Sequence, residues 1–211
     1  MLGQGFRPRW MLSWQRKSAR PHPGYVSVPK KEPLKLSCDV CSVVSSSGQV
    51  LGRGAGAEID QASCVWRMNN APTLRYEKDV GNRTNLRVVS HTSVPLLLHK
   101  PQHFFGPASN GTVITSGSYL STGWFTLILA MDMCKEIHVY GMINDTHCKS
   151  EGYRKVPYHY YEAGSRDECA EYILHESAPY GGHRFITEKT VFAKWAKTHP
   201  IKFFHPEWQL S

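Results

Sequence analysis

Short apolar runs alternate with longer amphipathic segments along this chain, and the alternation predicts its elements. In the first half, CSVVSSSG, SCVWRMN and NLRVVSH are rich in β-branched residues and predict strands. EIHVYGM and IKFF predict two more strands in the second half. Helices are predicted at the end of QVLGRGAGAEID, from Ser121 or Thr122 to about Lys135, in RDECAEYILHES and in ITEKTVFAKWAKTH. Strands that alternate with helices predict βαβ units, and therefore an α/β fold with a largely parallel sheet.

The same pattern suggests one domain that is preceded by a segment of different composition. Residues 1–35 are rich in Pro, Arg and Gly without a steady period, which is typical of a stem or linker. Residues 36–211 carry all the predicted elements and are expected to form a single domain. No run of eighteen apolar residues occurs, so no transmembrane segment is predicted. Arginines, tryptophans and prolines interrupt the first residues, so they do not predict a signal peptide either.

Composition and charge narrow the function classes. The chain is 41% hydrophobic and 20% charged, which excludes global disorder. Its formal net charge of +8 favours an anionic partner, although a solvated basic surface is the simpler alternative. Base-stacking motifs and long Lys/Arg runs are absent, so nucleic-acid binding is not predicted.

The cysteines and the glycosylation sequons indicate an oxidising compartment. Six cysteines permit three disulfides. CDVC could begin a zinc site, but such sites need a second close pair and the other four cysteines are scattered singly, so no metal is predicted. NRT, NGT and NDT are sequons at Asn82, Asn110 and Asn144, and they favour the secretory pathway, where disulfides persist.

Polar loops after the predicted strands are candidates for a ligand site, because ligands bind beyond the carboxyl ends of parallel strands. SSSGQ, RMNNAP and the start of the STGWF helix fall at such places. The first two offer neutral groups for ribose and a base edge, and the third offers hydroxyls and free N–H groups for an anion. Ordinary turns and caps are the alternative interpretation. GRGAG lacks G-x-G-x-x-G spacing, and neither GK[ST] nor D-x-D occurs, which argues against an NTPase phosphate loop and a metal-bound nucleotide sugar.

Two histidines lie downstream of these loops, each followed by a glutamate. His159 precedes Glu162 in HYYE, and His183 precedes Glu188 in HRFITE. A neutral imidazole can accept a proton from a hydroxyl, and a protonated one can stabilise a leaving phosphate. Beside a nucleotide pocket, the pair predicts a metal-independent transfer reaction. The alternative is that both are loop residues without a catalytic role.

Four segments, in the same order, resemble the motifs of animal-type sialyltransferases. The run from Cys41 to about Ser90 resembles the large sialylmotif, and YLSTGWFTLILAMDMCKEIHVYGM the small one. HYYE is similar to motif three and HRFITE to the very small motif, H-x-x-x-x-E. In detail the chain looks most like the N-acetylgalactosaminide α-2,6-sialyltransferases, in particular the ganglioside-acting branch and its fifth member.

The resemblance implies a fold, which is a Rossmann-like variant similar to the GT-A glycosyltransferase fold, and it implies a reaction. Sialic acid would pass from CMP-sialic acid to the C6 hydroxyl of GalNAc in sialylated glycolipids or glycoproteins, with inversion, in the Golgi and without a metal or other cofactor. Carried over to this chain, the resemblance implies that the cytidine monophosphate portion contacts Ser46, Ser47, Gln49 and Asn69, and that the phosphate and sialyl carboxylate lie near Ser121, Thr122 and Gly123. It implies His159 at the departing phosphate and His183 as the base, with Glu188 and Glu162 in support. It also implies a Cys41–Cys134 disulfide and, more loosely, a Cys148–Cys169 disulfide.

Two departures from the family pattern leave an alternative open. Family members begin with a membrane anchor, whereas Met1 opens directly into stem-like sequence, so this chain is expected to lack the anchor. Only TSVPLLLHKPQHFFGPASNGTVIT separates the large and small motifs, which predicts a shortened form joined between about 110 and 118 and missing central elements. Such a form could be inactive and act through association with other Golgi enzymes. A basic module for acidic ligands is a third, weaker possibility.

Overall fold

The described residues fold around a parallel sheet. The computed structural model describes residues 36–90, 120–162, 164–178 and 182–210, together with Glu32 and Ser93. The sheet has the order β3-β2-β1-β4-β5, and every neighbouring pair is parallel. Its strands are β1 (Cys38–Val44), β2 (Cys64–Met68), β3 (Leu86–Val88), β4 (Cys134–Tyr140) and β5 (Ile201–Phe204). The predicted α/β class, a Rossmann-like parallel sheet with flanking helices, is confirmed.

In the part of the chain that the structure describes, five helices connect or follow the strands. They are α1 (Gly56–Gln61), α2 (Glu77–Val80), α3 (Thr122–Met133), α4 (Glu168–Ser177) and α5 (Phe185–Ala196), with 3₁₀ turns at Gly48–Val50 and His147–Lys149. Side-chain caps set two of the starts: Ser121 Oγ accepts from Trp124 N–H at 3.1 Å, and Asp167 Oδ2 accepts from Ala170 N–H at 3.1 Å. Within the described residues, no helix combines the length and apolar character needed to cross a membrane.

The core lies along the central strands. All five residues of β2 are buried, which places cover on both of its faces because successive side chains point to opposite sides of a sheet. Val43, Val65 and Val139, on adjacent strands, are fully buried. Burial of each such side chain contributes about 1.5–3 kcal/mol. Each strand is hydrogen-bonded to the next, so the described sheet is continuous from β3 to β5.

Disulfides tie the sheet together at β1. Cys41 is bonded to Cys134 on β4, and Cys38 is bonded to Cys64 on β2. Cys148 and Cys169 join the loop after β4 to α4. The two cysteines of CDVC therefore belong to separate disulfides. The sequence alone left the partners of Cys38 and Cys64 open, and their pairing follows from the neighbouring positions of β1 and β2.

Candidate active site

An open cleft lies at the carboxyl edge of the sheet, where the strand order reverses beside β1. That reversal is the place at which α/β sheets bind their ligands. The cleft is a cavity of about 210 Å³. The predicted site residues that line it are Ser46, Ser47, Asn69, Ser121, Thr122, Gly123, His159 and His183. Tertiary structure thus gathers residues from five separated segments into one cavity.

The loop after β1 is held directly against the segment that carries His159. Gly48 N–H donates to the Pro157 carbonyl oxygen at 2.9 Å, and Tyr160 N–H donates to the Ser46 carbonyl oxygen at 2.9 Å. A Cβ at position 48 would lie 2.6 Å from the Pro157 ring, so only glycine permits this approach. The two backbone bonds fix His159 beside the serine loop.

Gln49 lies behind the cleft and not at its surface. Its side chain is 1% exposed, and its Nε2 donates to Glu168 Oε2 at 3.2 Å and to the Arg154 carbonyl oxygen at 3.4 Å. Gln49 is not among the residues that line the cavity. This placement differs from the expected nucleotide contact. The reason is that the 3₁₀ turn after Ser47 directs the Gln49 amide toward α4.

Asn69 joins three elements at the rim of the cleft. It follows β2 with a φ of 46°, a left-handed conformation that asparagine tolerates better than most residues. Its Oδ1 accepts from Ser90 N–H at 2.9 Å, just beyond β3, and its Nδ2 donates to Thr122 Oγ1 at 3.4 Å, at the start of α3. Asn69 therefore sets the spacing between the β2 edge and the α3 N-terminus.

Glu188 anchors the start of α3 from α5. Its Oε1 accepts from Ser121 N–H at 2.7 Å, and its Oε2 accepts from Ser121 Oγ–H. The side chain is only 3% exposed, so both bonds lie in a medium of low dielectric constant. Thr122 and Gly123 directly follow Ser121 and are the first residues of α3. Glu188 therefore positions the first backbone N–H groups of this helix at the cleft.

His159 is held by a carboxylate and by two aromatic rings. Its Nδ1 lies 2.8 Å from Glu162 Oε2. The imidazole stacks on Tyr161 with ring centroids 5.3 Å apart and on Tyr158 at 4.3 Å. The Glu162 carboxylate and the two stacked rings together fix the orientation of the ring in the cleft.

His183 is placed by the end of α4. Its N–H donates to His175 Nδ1 at 3.3 Å, and the two rings are nearly parallel with centroids 5.9 Å apart. His175 is itself held by Glu171, whose Oε1 lies 3.1 Å from His175 Nε2. A Cβ at position 182 would lie 2.4 Å from the His175 carbonyl oxygen, which explains the glycine before His183. Sequence reasoning did not single out His175 or Glu171.

Lys189 is a cavity residue that the sequence analysis also did not single out. Lys189 lines the cleft although its side chain is 4% exposed, and its Nζ lies 4.2 Å from the ring centroid of Tyr172. Burial lowers the pKa of Lys189 to about 8. The signal was present in the sequence: Phe185, Glu188, Lys189 and Phe192 have i, i+3, i+4, i+7 spacing, and all four are buried on α5. A glutamate and a lysine inside an apolar stripe indicate that charged side chains are buried on this helix face.

The parallel sheet and its polar cleft define an α/β protein with a ligand site at the carboxyl edge, where the strand order reverses. The family profile of glycosyltransferase family 29 (sialyltransferase) matches residues 15–105 and 95–199, and the chain belongs to this family.

Named relatives agree with this assignment. Alpha-N-acetylgalactosaminide alpha-2,6-sialyltransferase 3 of Homo sapiens is 54% identical over 252 residues, covering 93% of this chain and 82% of the relative. The human alpha-N-acetyl-neuraminyl-2,3-beta-galactosyl-1,3-N-acetyl-galactosaminide alpha-2,6-sialyltransferase is 45% identical, covering 88% and 80%. The human alpha-N-acetylgalactosaminide alpha-2,6-sialyltransferase 6 is 37% identical, covering 99% and 78%. The assignment to the fifth member stays a prediction.

A solved structure supports the fold. A mammalian sialyltransferase in complex with Gal-beta-1-3GalNAc-ortho-nitrophenol superposes with a TM-score of 0.52 at 21% identity, covering 87% of this chain and 75% of that one. The sequence alignment with the first relative also contains gaps in this chain. It spans 252 positions but includes 93% of 211 residues, so about 56 positions have no counterpart here.

Proposed function

We propose that this protein transfers sialic acid from CMP-sialic acid to the C6 hydroxyl of an N-acetylgalactosamine in a sialylated glycolipid or glycoprotein. The observation that carries the proposal is that His159 and His183 line one cleft together with the polar groups of two strand ends and of the α3 N-terminus. The names of the relatives support the α-2,6 linkage and the N-acetylgalactosamine acceptor.

The reaction is a single displacement at the anomeric carbon of the sialyl group. His183 accepts the proton of the acceptor hydroxyl, and the acceptor oxygen forms a bond to that carbon. The bond between the carbon and the phosphate oxygen breaks on the opposite side, its electron pair leaves with CMP, and the configuration inverts. His159 stabilises the negative charge that develops on the departing phosphate.

In the proposed donor site, neutral groups contact the nucleoside and a helix N-terminus binds the anionic groups. Ser46, Ser47 and Asn69 present hydroxyl and amide groups at the carboxyl ends of β1 and β2. Thr122 and Gly123 present the first N–H groups of α3, where the helix dipole favours an anion. Gln49 supports this donor site indirectly, because its side chain donates a hydrogen bond to Glu168 on α4.

An oxidising lumenal compartment, the Golgi, is part of the proposal. Three disulfides favour such a compartment. Of the proposed glycosylation sites, Asn82 is exposed, and Asn144 is half-buried with its Oδ1 accepting from Thr146 and His147 N–H groups. Asn110 lies outside the described residues.

Transfer of labelled sialic acid from CMP-sialic acid to a sialylated N-acetylgalactosamine glycolipid tests the reaction. We expect product in the presence of EDTA, with the new bond at C6 of the N-acetylgalactosamine. A metal requirement or a different linkage would contradict the mechanism.

Thermal unfolding with CMP, together with the transfer assay, separates the active form from the inactive alternative. At a concentration 100 times the dissociation constant, CMP should stabilise the chain by about 2.7 kcal/mol, or roughly 5–10 °C for a domain of this size. Stabilisation without transfer would establish the shortened, inactive form, for which the unmatched alignment positions are the supporting observation. No stabilisation at all would refute the donor site.

A further inference from the structure

A buried ammonium group that forms no ion pair with the described residues lies at the floor of the cleft. Lys189 is on α5, one residue after Glu188, and its Nζ faces the rings of Tyr172 at 4.2 Å and Phe185 at 5.8 Å. Among the described residues, the ammonium group forms no hydrogen bond and has no carboxylate oxygen within 4.0 Å. The mechanism above does not use it.

Glu168, Glu188 and Glu176 attract the ammonium group electrostatically, but Glu168 and Glu188 accept hydrogen bonds from other residues. Both oxygens of Glu188 accept from Ser121. Glu168 is 1% exposed and accepts from Gln49, and burial raises its pKa, which favours its neutral form. The cation–π contact with Tyr172 offsets only part of the cost of burying an ammonium group. The pKa of Lys189, lowered to about 8, still leaves most of the group protonated at neutral pH.

A buried ammonium group that forms no ion pair with the described residues is stabilised further when a bound ligand places an anion beside it. The cleft already has a second feature that favours anions, the N-terminus of α3, which Glu188 holds beside Lys189. We propose that Lys189 binds an oxyanion of the sugar-nucleotide donor, either the sialyl carboxylate or the phosphate. This inference rests on the proposed function, and it adds Lys189 as a donor-binding residue to the two histidines.

Binding of three ligands to Lys189→Met distinguishes the two oxyanions. If Lys189 binds the carboxylate, affinity for CMP-sialic acid should fall about 10- to 100-fold while affinity for CMP is unchanged. If it binds the phosphate, both affinities should fall together, and that of cytidine should not change. Lys194, exposed on the same helix, provides the matched control, since Lys194→Met should bind all three ligands as the parent does. Equal affinity of parent and Lys189→Met for CMP-sialic acid and CMP would overturn the inference.

The ligand-free variant shows whether Lys189 is merely structural. Replacing a buried ammonium group that forms no ion pair with the described residues by an apolar side chain of similar length should raise the midpoint of thermal unfolding, so lost affinity would accompany higher stability. A lower midpoint together with lost affinity would assign Lys189 a structural role and refute the proposal. If the unsubstituted chain binds neither CMP-sialic acid nor CMP, the proposed function fails first, and this outcome is recognised in the parent alone.

Discussion

At the scale of single residues, the cleft depends on contacts that bring side chains close to backbone. His183 reaches the cavity because its N–H donates to His175 and because Gly182 leaves room for the His175 carbonyl oxygen. His159 is set in the same way by Gly48 and the loop after β1. Each imidazole is therefore oriented by the element behind it.

Substitution of His183 by alanine should separate chemistry from binding. As the base, His183 should contribute about 10²–10⁴ in kcat, whereas stabilisation by CMP should be retained. Turnover and the CMP-dependent shift in unfolding temperature are the two measurements. His138, which lies on β4 outside the cleft and contacts Glu136, provides a control whose alanine variant should keep full activity. Parallel loss of CMP binding and turnover in His183→Ala would contradict the role of a base.

At the scale of elements, α3 and α5 are joined by one buried carboxylate. Glu188 satisfies the N–H and the hydroxyl of Ser121, and Ser121 in turn caps α3 through Trp124 N–H. The motif that contributes His183 thus also sets the N-terminus of the helix from the small sialylmotif. Two segments whose joined residues are 67 positions apart in the sequence act as one support for the cleft.

Glu188→Gln should weaken this joint without changing its shape. A glutamine presents an NH₂ group to one of the Ser121 donors, and loss of a buried charge-assisted hydrogen bond costs about 1–3 kcal/mol. We expect a lower unfolding temperature and a smaller stabilisation by CMP, because Thr122 and Gly123 lose their anchor. Glu151→Gln, at an exposed position, should change neither quantity. Glu188→Gln with the unfolding temperature and CMP response of the parent would show that the joint is not needed.

At the scale of the whole molecule, β1 is the strand to which the rest is tied. It pairs with β2 and β4, carries two disulfides, and ends in the serine loop of the cleft. The Cys41–Cys134 bond spans 93 residues, against 21 for Cys148–Cys169. A longer closed loop restricts the unfolded chain more strongly.

Removal of each disulfide as an alanine pair should reveal this difference. Chain entropy predicts a loss of about 4.7 kcal/mol for Cys41–Cys134 and about 3.3 kcal/mol for Cys148–Cys169. The free energy of unfolding in denaturant, measured with an unchanged m-value, provides the comparison. A larger loss for the Cys148–Cys169 pair would show that native-state packing, and not loop length, dominates.

Much of the fold could be predicted because strand and helix signals here are local. β-branched runs marked β1, β2 and β3, and the helix predicted from Ser121 or Thr122 occurs as Thr122–Met133, capped by Ser121. The position of Gln49 outside the cavity could not be predicted, because the direction of a side chain in a short turn depends on its packing partners. Lys189 and His175 were missed because their surroundings come from helices distant in the sequence.

The sequence alone determined the periodicities, the motif order and hence the family, since these depend on which residues follow one another. Only the tertiary structure decided that Cys38 pairs with Cys64, that Gln49 faces Glu168, and that Lys189 is buried in the cleft. The physical reason is that burial and pairing are set by neighbours across the sheet and between helices, and such neighbours are brought together only when the chain closes around its core.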